Sequence, residues 1–204
     1  MPTKNVTRVF VPNAFYHVYN RGWNLGKVFI DAKDRQYFEV LLARHLSPEP
    51  MQDKNGKDYK HFYHEVHLVA YCLMDNHFHI LFYQYDEESA ISRLMASLMT
   101  AYTAYFNKRH KRRGSLFESR YKAVWIGSDT QLMHITRYIH LNHSNYVAWS
   151  HSSYRDYLET AREWIDPKPI LELFDSKAQY EEFVADYEAI QRERDGIKQE
   201  LYGR

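Results

Sequence analysis

Met74-Asp75-Asn76-His77-Phe78-His79-Ile80-Leu81-Phe82 sets two histidines two residues apart inside an apolar run. Asp75-Asn76 is a turn signal, and Tyr71-Cys72-Leu73 supplies the apolar flank before it. If residues 77–83 form a strand, alternate side chains share a face. His77 and His79 then point one way, and Phe78 and Ile80 face a core the other way. Two neutral imidazoles on one rigid strand are the beginning of a divalent-metal site. A solvent-facing strand that happens to carry two of the chain's 12 histidines is the plainer reading.

Outward from this stretch, a strand over Glu65–Met74 pairs with it as a hairpin. Phe15-Tyr16-His17-Val18-Tyr19-Asn20 alternates and is rich in strand formers, which predicts a first strand. Residues 21–26 break it. Asp31 caps a helix running to about His45, with Tyr37, Phe38, Leu41 and Leu42 as its apolar stripe. Ser47–Lys60 is a loop. Ile91, Leu94, Met95, Leu98, Met99, Tyr102 and Tyr105 recur at helical spacing, so Glu87–Lys108 is the next helix. Tyr121–Ile126 is a fourth strand, and Asp129-Thr130 opens a helix from Gln131 to about Leu141. The order predicts an α+β, ferredoxin-like antiparallel sheet with helices on one face. A C-terminal helical extension, Ser176–Glu200, follows it. The expected division is 1–165 for the main domain and 166–204 for a helical tail.

Length and composition agree with this: 204 residues, 45% hydrophobic, suffice for one sizeable core. No apolar stretch is long enough to span a bilayer, and Met1–Val11 lacks the apolar centre of a signal peptide. The single cysteine, Cys72, fits a packed core thiol and a reducing cytoplasm. Net charge is only +1, but it is unevenly spread. From Lys108 to Lys122 there are seven Lys or Arg and one acid, Glu118, which gives +6 and leaves −5 for the remainder. Such a local excess is the footprint of a polyanion.

Ile135-Thr136-Arg137-Tyr138-Ile139-His140-Leu141-Asn142 adds a second group. On a helix, Tyr138 and Asn142 lie one above the other. A tyrosine hydroxyl can attack phosphorus if a cation polarises the phosphate. An amide oxygen from Asn142 could join two imidazoles around that cation, or orient the phosphate. Tyr138 packed at the sheet surface is the plainer alternative, His134 is a rival ligand, and His140 and His143 are expected in solvent.

Three motifs, Met74-Asp75-Asn76-His77-Phe78-His79, Arg120-Tyr121-Lys122 and Arg137-Tyr138-Ile139-His140-Leu141-Asn142, resemble those of the single-tyrosine HUH (IS200-like) transposases. The likeness is closer to their REP-associated branch. It runs from about Val11 to Phe174 and includes Tyr16-His17-Val18, Gly114-Ser115-Leu116-Phe117 and the segment from Trp149 to Tyr154. The resemblance implies a ferredoxin-like fold and a Mg²⁺ or Mn²⁺ ion held by His77, His79 and Asn142. It implies that Tyr138 cleaves single-stranded DNA beside a hairpin, leaving a 5′-phosphotyrosine and a free 3′-hydroxyl. It also implies a cytoplasmic, nucleoid-associated protein that acts as a monomer or a homodimer. The family often has proline after this asparagine, where the chain has His143; a proline would help end the helix.

Lys108, Arg109, Lys111, Arg112 and Arg113, with Arg120 and Lys122 from the fourth strand, are the expected phosphate contacts. Trp23 could stack on an unpaired base or fill a gap under its own loop. Two other functions compete with strand transfer: a hairpin-binding protein without catalysis, and a hydrolase in which the histidine-bound metal activates water.

Overall fold

The computed structural model describes residues 10–186. Four strands, β1 (Ala14–Arg21), β2 (Val66–Leu73), β3 (His77–Gln84) and β4 (Lys122–Ile126), form one antiparallel sheet in the order β2-β3-β1-β4. Helices α1 (Ala32–Leu46) and α2 (Ala90–Arg109) connect β1 to β2 and β3 to β4, which is the ferredoxin-like path. Strand alternation decides what each face carries. Phe78, Ile80 and Phe82 of β3 join Tyr16 and Val18 of β1 and meet Phe38, Leu41, Ile91 and Leu94 of α1 and α2 in one core. A break in register between Leu68 and Ala70 leaves both Val69 and Ala70 on the opposite face.

That opposite face is covered by the later part of the chain. Helix α3 (Asp129–His140) begins at Ser128, whose side chain accepts from the Gln131 N–H. Leu132, Ile135 and Ile139 share a second core with Val69, Cys72 and Leu81. Three short helices, α4 (Tyr154–Leu158), α5 (Lys168–Leu171) and α6 (Lys177–Ala185), add Tyr157, Ile170 and Tyr180 to it. Most of the expected helix at 176–200 beyond Ala185 lies outside the described residues, as do residues 1–9.

This packing corrects one expectation. His140 is fully buried rather than solvated. Its Nδ1 is 2.7 Å from the Tyr180 hydroxyl and its Nε2 is 2.8 Å from Ser153 Oγ, so both nitrogens are satisfied inside the protein. The reason is the cover that α6 and the 153 region lay over α3. His143 is half-buried and stacks on Trp149, centroids 3.8 Å apart.

Candidate active site

The turn before β3 is gripped from several sides, which fixes where β3 starts. The Asp75 carbonyl accepts from the N–H groups of Val28 and Phe29, at 2.8 and 2.9 Å. Gly22 N–H donates to the Asn76 carbonyl at 2.8 Å. A side chain at Gly22 would strike the Gly26 carbonyl oxygen, so this close approach needs glycine. The Asp75 carboxylate pairs with Lys27 at 2.8 Å and also with Arg35.

His77 and His79 project from the same face of β3, toward α3, with ring centroids 5.1 Å apart. Tyr138 comes down from α3, and its ring stands edge-on to His79 at 5.2 Å and 81°. It is 8% exposed, and among the described residues its hydroxyl has no hydrogen-bond partner. Asn142 follows the end of α3, which closes without a proline: Leu141 N–H bonds the Arg137 carbonyl and Asn142 N–H that of Ile139. Asn142 thus lies two residues past the end of α3, yet its amide oxygen reaches 3.0 Å from His77 Nε2. Tyrosine, both histidines and asparagine meet within one chain.

Burial holds all three nearby imidazoles in the neutral form that binds metals. It lowers the pKa of His77, pushes His79 well below its ordinary value, and brings fully buried His17 down to about 3. The Asn76 amide NH₂ donates to the Leu25 carbonyl at 3.3 Å, so its oxygen faces His77 Nδ1 at 2.7 Å. A neutral His77 that donates from Nδ1 presents a lone pair at Nε2. Asn142 then meets that nitrogen either with its amide turned over or across a shared cation. Among the described residues, His79 Nε2 is buried without a partner.

Among the described residues, no three His, Cys, Asp or Glu side chains converge as a ligand set. The candidate set is two imidazoles and an amide oxygen, and it fits a divalent ion on two counts. Burial keeps both imidazoles neutral, and among the described residues His79 Nε2 has no other partner. The 3.0 Å gap from His77 to Asn142 matches the edge of an octahedron with bonds of about 2.1 Å.

The rival His134 is held by Arg137 at 3.2 Å and stacks on Phe183, away from the histidine pair. The expected phosphate contacts separate. Lys122 Nζ lies 5.8 Å from the Tyr19 ring, and Tyr19 stacks on His79, so Lys122 borders the site. Lys108, Lys111, Arg112, Arg113 and Arg120 are exposed. Arg109 is committed elsewhere, to Asp31 at 2.7 Å and to buried Asp34, which ties the end of α2 to the start of α1. A groove of about 840 Å³ runs between α2 and residues 115–121, with Thr100, Asn107, Arg120 and Tyr121 among its walls. Trp23 is 62% exposed rather than filling a gap.

Two neighbours escaped the sequence reading. His17 bonds His79, and Arg21 stands opposite His77 across the β1–β3 ladder. Both depend on strand register, which periodicity alone does not supply.

Residues 58–142 match a family model described as "Transposase IS200 like". Over that stretch the chain is similar to the IS200-like transposases. The matched stretch runs through β2 to Asn142 and so contains both histidines, Tyr138 and the basic run. A solved REP-associated tyrosine transposase bound to a REP hairpin has a similar fold. Its TM-score is 0.55 at 10% identity, over 76% of this chain and 86% of that one. No curated protein matches the sequence. Among the described residues, no helix of the protein is long and apolar enough to cross a membrane.

Proposed function

We propose that this protein is a metal-dependent single-stranded DNA endonuclease and strand transferase that acts next to a DNA hairpin, with Tyr138 as nucleophile. The observation that carries the reading is the meeting of Tyr138, His77, His79 and Asn142 in one chain. Mg²⁺ or Mn²⁺ would be held by His77 Nε2, His79 Nε2 and the Asn142 amide oxygen. When bound, such an ion polarises the scissile phosphate and stabilises the departing oxygen.

The remaining work falls to the protein. The Tyr138 oxygen forms a bond to phosphorus as the bond to the 3′-oxygen breaks. The phenolic proton is lost to water, and the leaving oxygen takes one up as a 3′-hydroxyl. The 5′-phosphate stays on the tyrosine until a strand bearing a 3′-hydroxyl reverses the step. Helix α3 and the sheet enclose the tyrosine, which shields that ester from hydrolysis. Lys122 and Arg21, on the strands beside the histidines, offer cations to the DNA backbone. The exposed Lys108, Lys111, Arg112, Arg113 and Arg120 extend that surface. The solved relative's REP hairpin and the IS200-like match support a hairpin as the DNA partner. Because the tyrosine and histidines meet within one chain, a single copy holds the whole constellation.

A labelled hairpin with a single-stranded flank tests this. With Mn²⁺ it should be cleaved by the native protein. Tyr138→Phe should bind the same hairpin and leave it intact. Cleavage surviving in Tyr138→Phe but lost in His77→Ala would favour metal-activated water instead, and binding without cleavage in any metal would favour a hairpin-binding protein.

A further inference from the structure

The β1–β3 ladder sets Tyr19 opposite His79 and His17 opposite Leu81, so His17 lies diagonally next to His79 on the same face. Its Nε2 is 2.8 Å from His79 Nδ1, with the two rings 16° from parallel. Tyr19 stacks on His17 at 5.0 Å and Tyr138 stands edge-on to it at 6.4 Å. His17 is fully buried, and among the described residues its Nδ1 has no partner. A polar ring left half-satisfied in the sheet interior costs stability, so it needs a reason to be there.

The bond between two neutral imidazoles allows two proton arrangements. In one, His79 Nδ1–H donates to His17 Nε2, and His79 Nε2 keeps a lone pair. In the other, His17 Nε2–H donates to His79 Nδ1, and His79 Nε2 carries a hydrogen that blocks coordination. Only the first leaves His79 able to hold a cation.

We infer that His17 is a positioning residue: it accepts the His79 Nδ1 hydrogen and so fixes the tautomer and ring plane in which His79 Nε2 can bind the metal. This rests on the reading of His79 as a metal ligand. Metal-bound histidines usually donate their second N–H to a carboxylate or a backbone carbonyl. Here a neutral ring takes that place, and among the described residues no carboxylate hydrogen-bonds to His17, His77 or His79. The bound ion would therefore keep its full double charge for the phosphate.

The test uses the full chain at one pH. Long-range ¹H–¹⁵N spectra of the histidine-labelled protein, without metal and with Mg²⁺, read which His79 nitrogen carries hydrogen. Titration followed by the EPR signal of free Mn²⁺ gives affinity. Two variants are compared: His17→Gln, whose amide oxygen can replace Nε2 as acceptor, and His17→Leu, which cannot accept. The native protein and His17→Gln should show His79 with hydrogen on Nδ1. His17→Leu should shift hydrogen to Nε2 and bind Mn²⁺ about 10–100-fold more weakly, with His17→Gln recovering most of that loss. Native His79 holding its hydrogen on Nε2 in the presence of Mg²⁺, or folded His17→Leu binding Mn²⁺ like the native protein, would overturn the role of His17. Should His17→Leu not fold, the native and His17→Gln spectra still decide. Native protein that binds no Mn²⁺ at all would instead defeat the metal reading itself.

Discussion

The Asn142 amide oxygen lies 3.0 Å from His77 Nε2, which joins the chain just beyond α3 to the first residue of β3. This contact brings the end of the tyrosine helix onto the histidine strand. It also explains how a helix that stops at His140 still delivers residue 142.

Metal affinity should therefore depend on both residues. Asn142→Ala should weaken Mn²⁺ binding by at least on the order of tenfold, and His77→Ala should weaken it further. Asn142 is half-exposed, so its loss should leave the unfolding transition nearly unchanged. Calorimetric titration of each folded variant with Mn²⁺ checks this. Native affinity in Asn142→Ala would remove it from the ligand set.

The basic residues should divide into two kinds. Replacing exposed Lys111 or Arg113 with Gln should weaken hairpin binding and lower the salt slope by about 0.7–0.9 for each phosphate that is no longer neutralised. Arg109→Gln should act mainly on the fold, because Arg109 bridges Asp31 and buried Asp34. Binding isotherms over a salt series, set beside urea unfolding curves, separate the two effects.

Cys72 should be chemically silent in the native state. Burial pushes its thiol up to about 12 from an ordinary value of 9.0. At pH 8 the thiolate fraction would be on the order of one in ten thousand. Ellman's reagent should react only on unfolding; rapid reaction of the native protein would contradict the packing on the α3 face of the sheet.

Acid should destabilise the protein well before its carboxylates titrate. Burial lowers His140 to about 3 from 6.5, and its neighbours Ser153, Tyr154, Tyr157 and Tyr180 offer no charge to hold an imidazolium. Between those two values the unfolded chain binds a proton that the folded chain does not. Stability is then whole above pH 6.5 and falls as pH drops toward 3. The contribution of this one group approaches about 1.4 kcal/mol per pH unit. Urea midpoints measured from pH 7 to pH 4 should fall steadily, and a flat profile would contradict a neutral buried His140.

Local pattern carries much of this. Alternation along β3 correctly separates His77 and His79 from Phe78 and Ile80, and the Asp75-Asn76 turn correctly joins two strands. The sequence order of strands and helices is enough for the ferredoxin-like path. Long-range relations are not legible. The placement of His17 beside His79 depends on β1–β3 register, and the burial of His140 on α6 reaching back over α3. Arg109 reads as one cation in a run, and only the fold brings Asp31 and Asp34 to it.

The most direct test is to trap the covalent product of native protein, Mn²⁺ and a hairpin with a single-stranded flank, then map the modified peptide by mass spectrometry. The account predicts a DNA 5′-phosphate on the hydroxyl of Tyr138, and a free 3′-hydroxyl on the released strand. Attachment to another of the tyrosines, or cleaved DNA with no protein attached at any time, would contradict it.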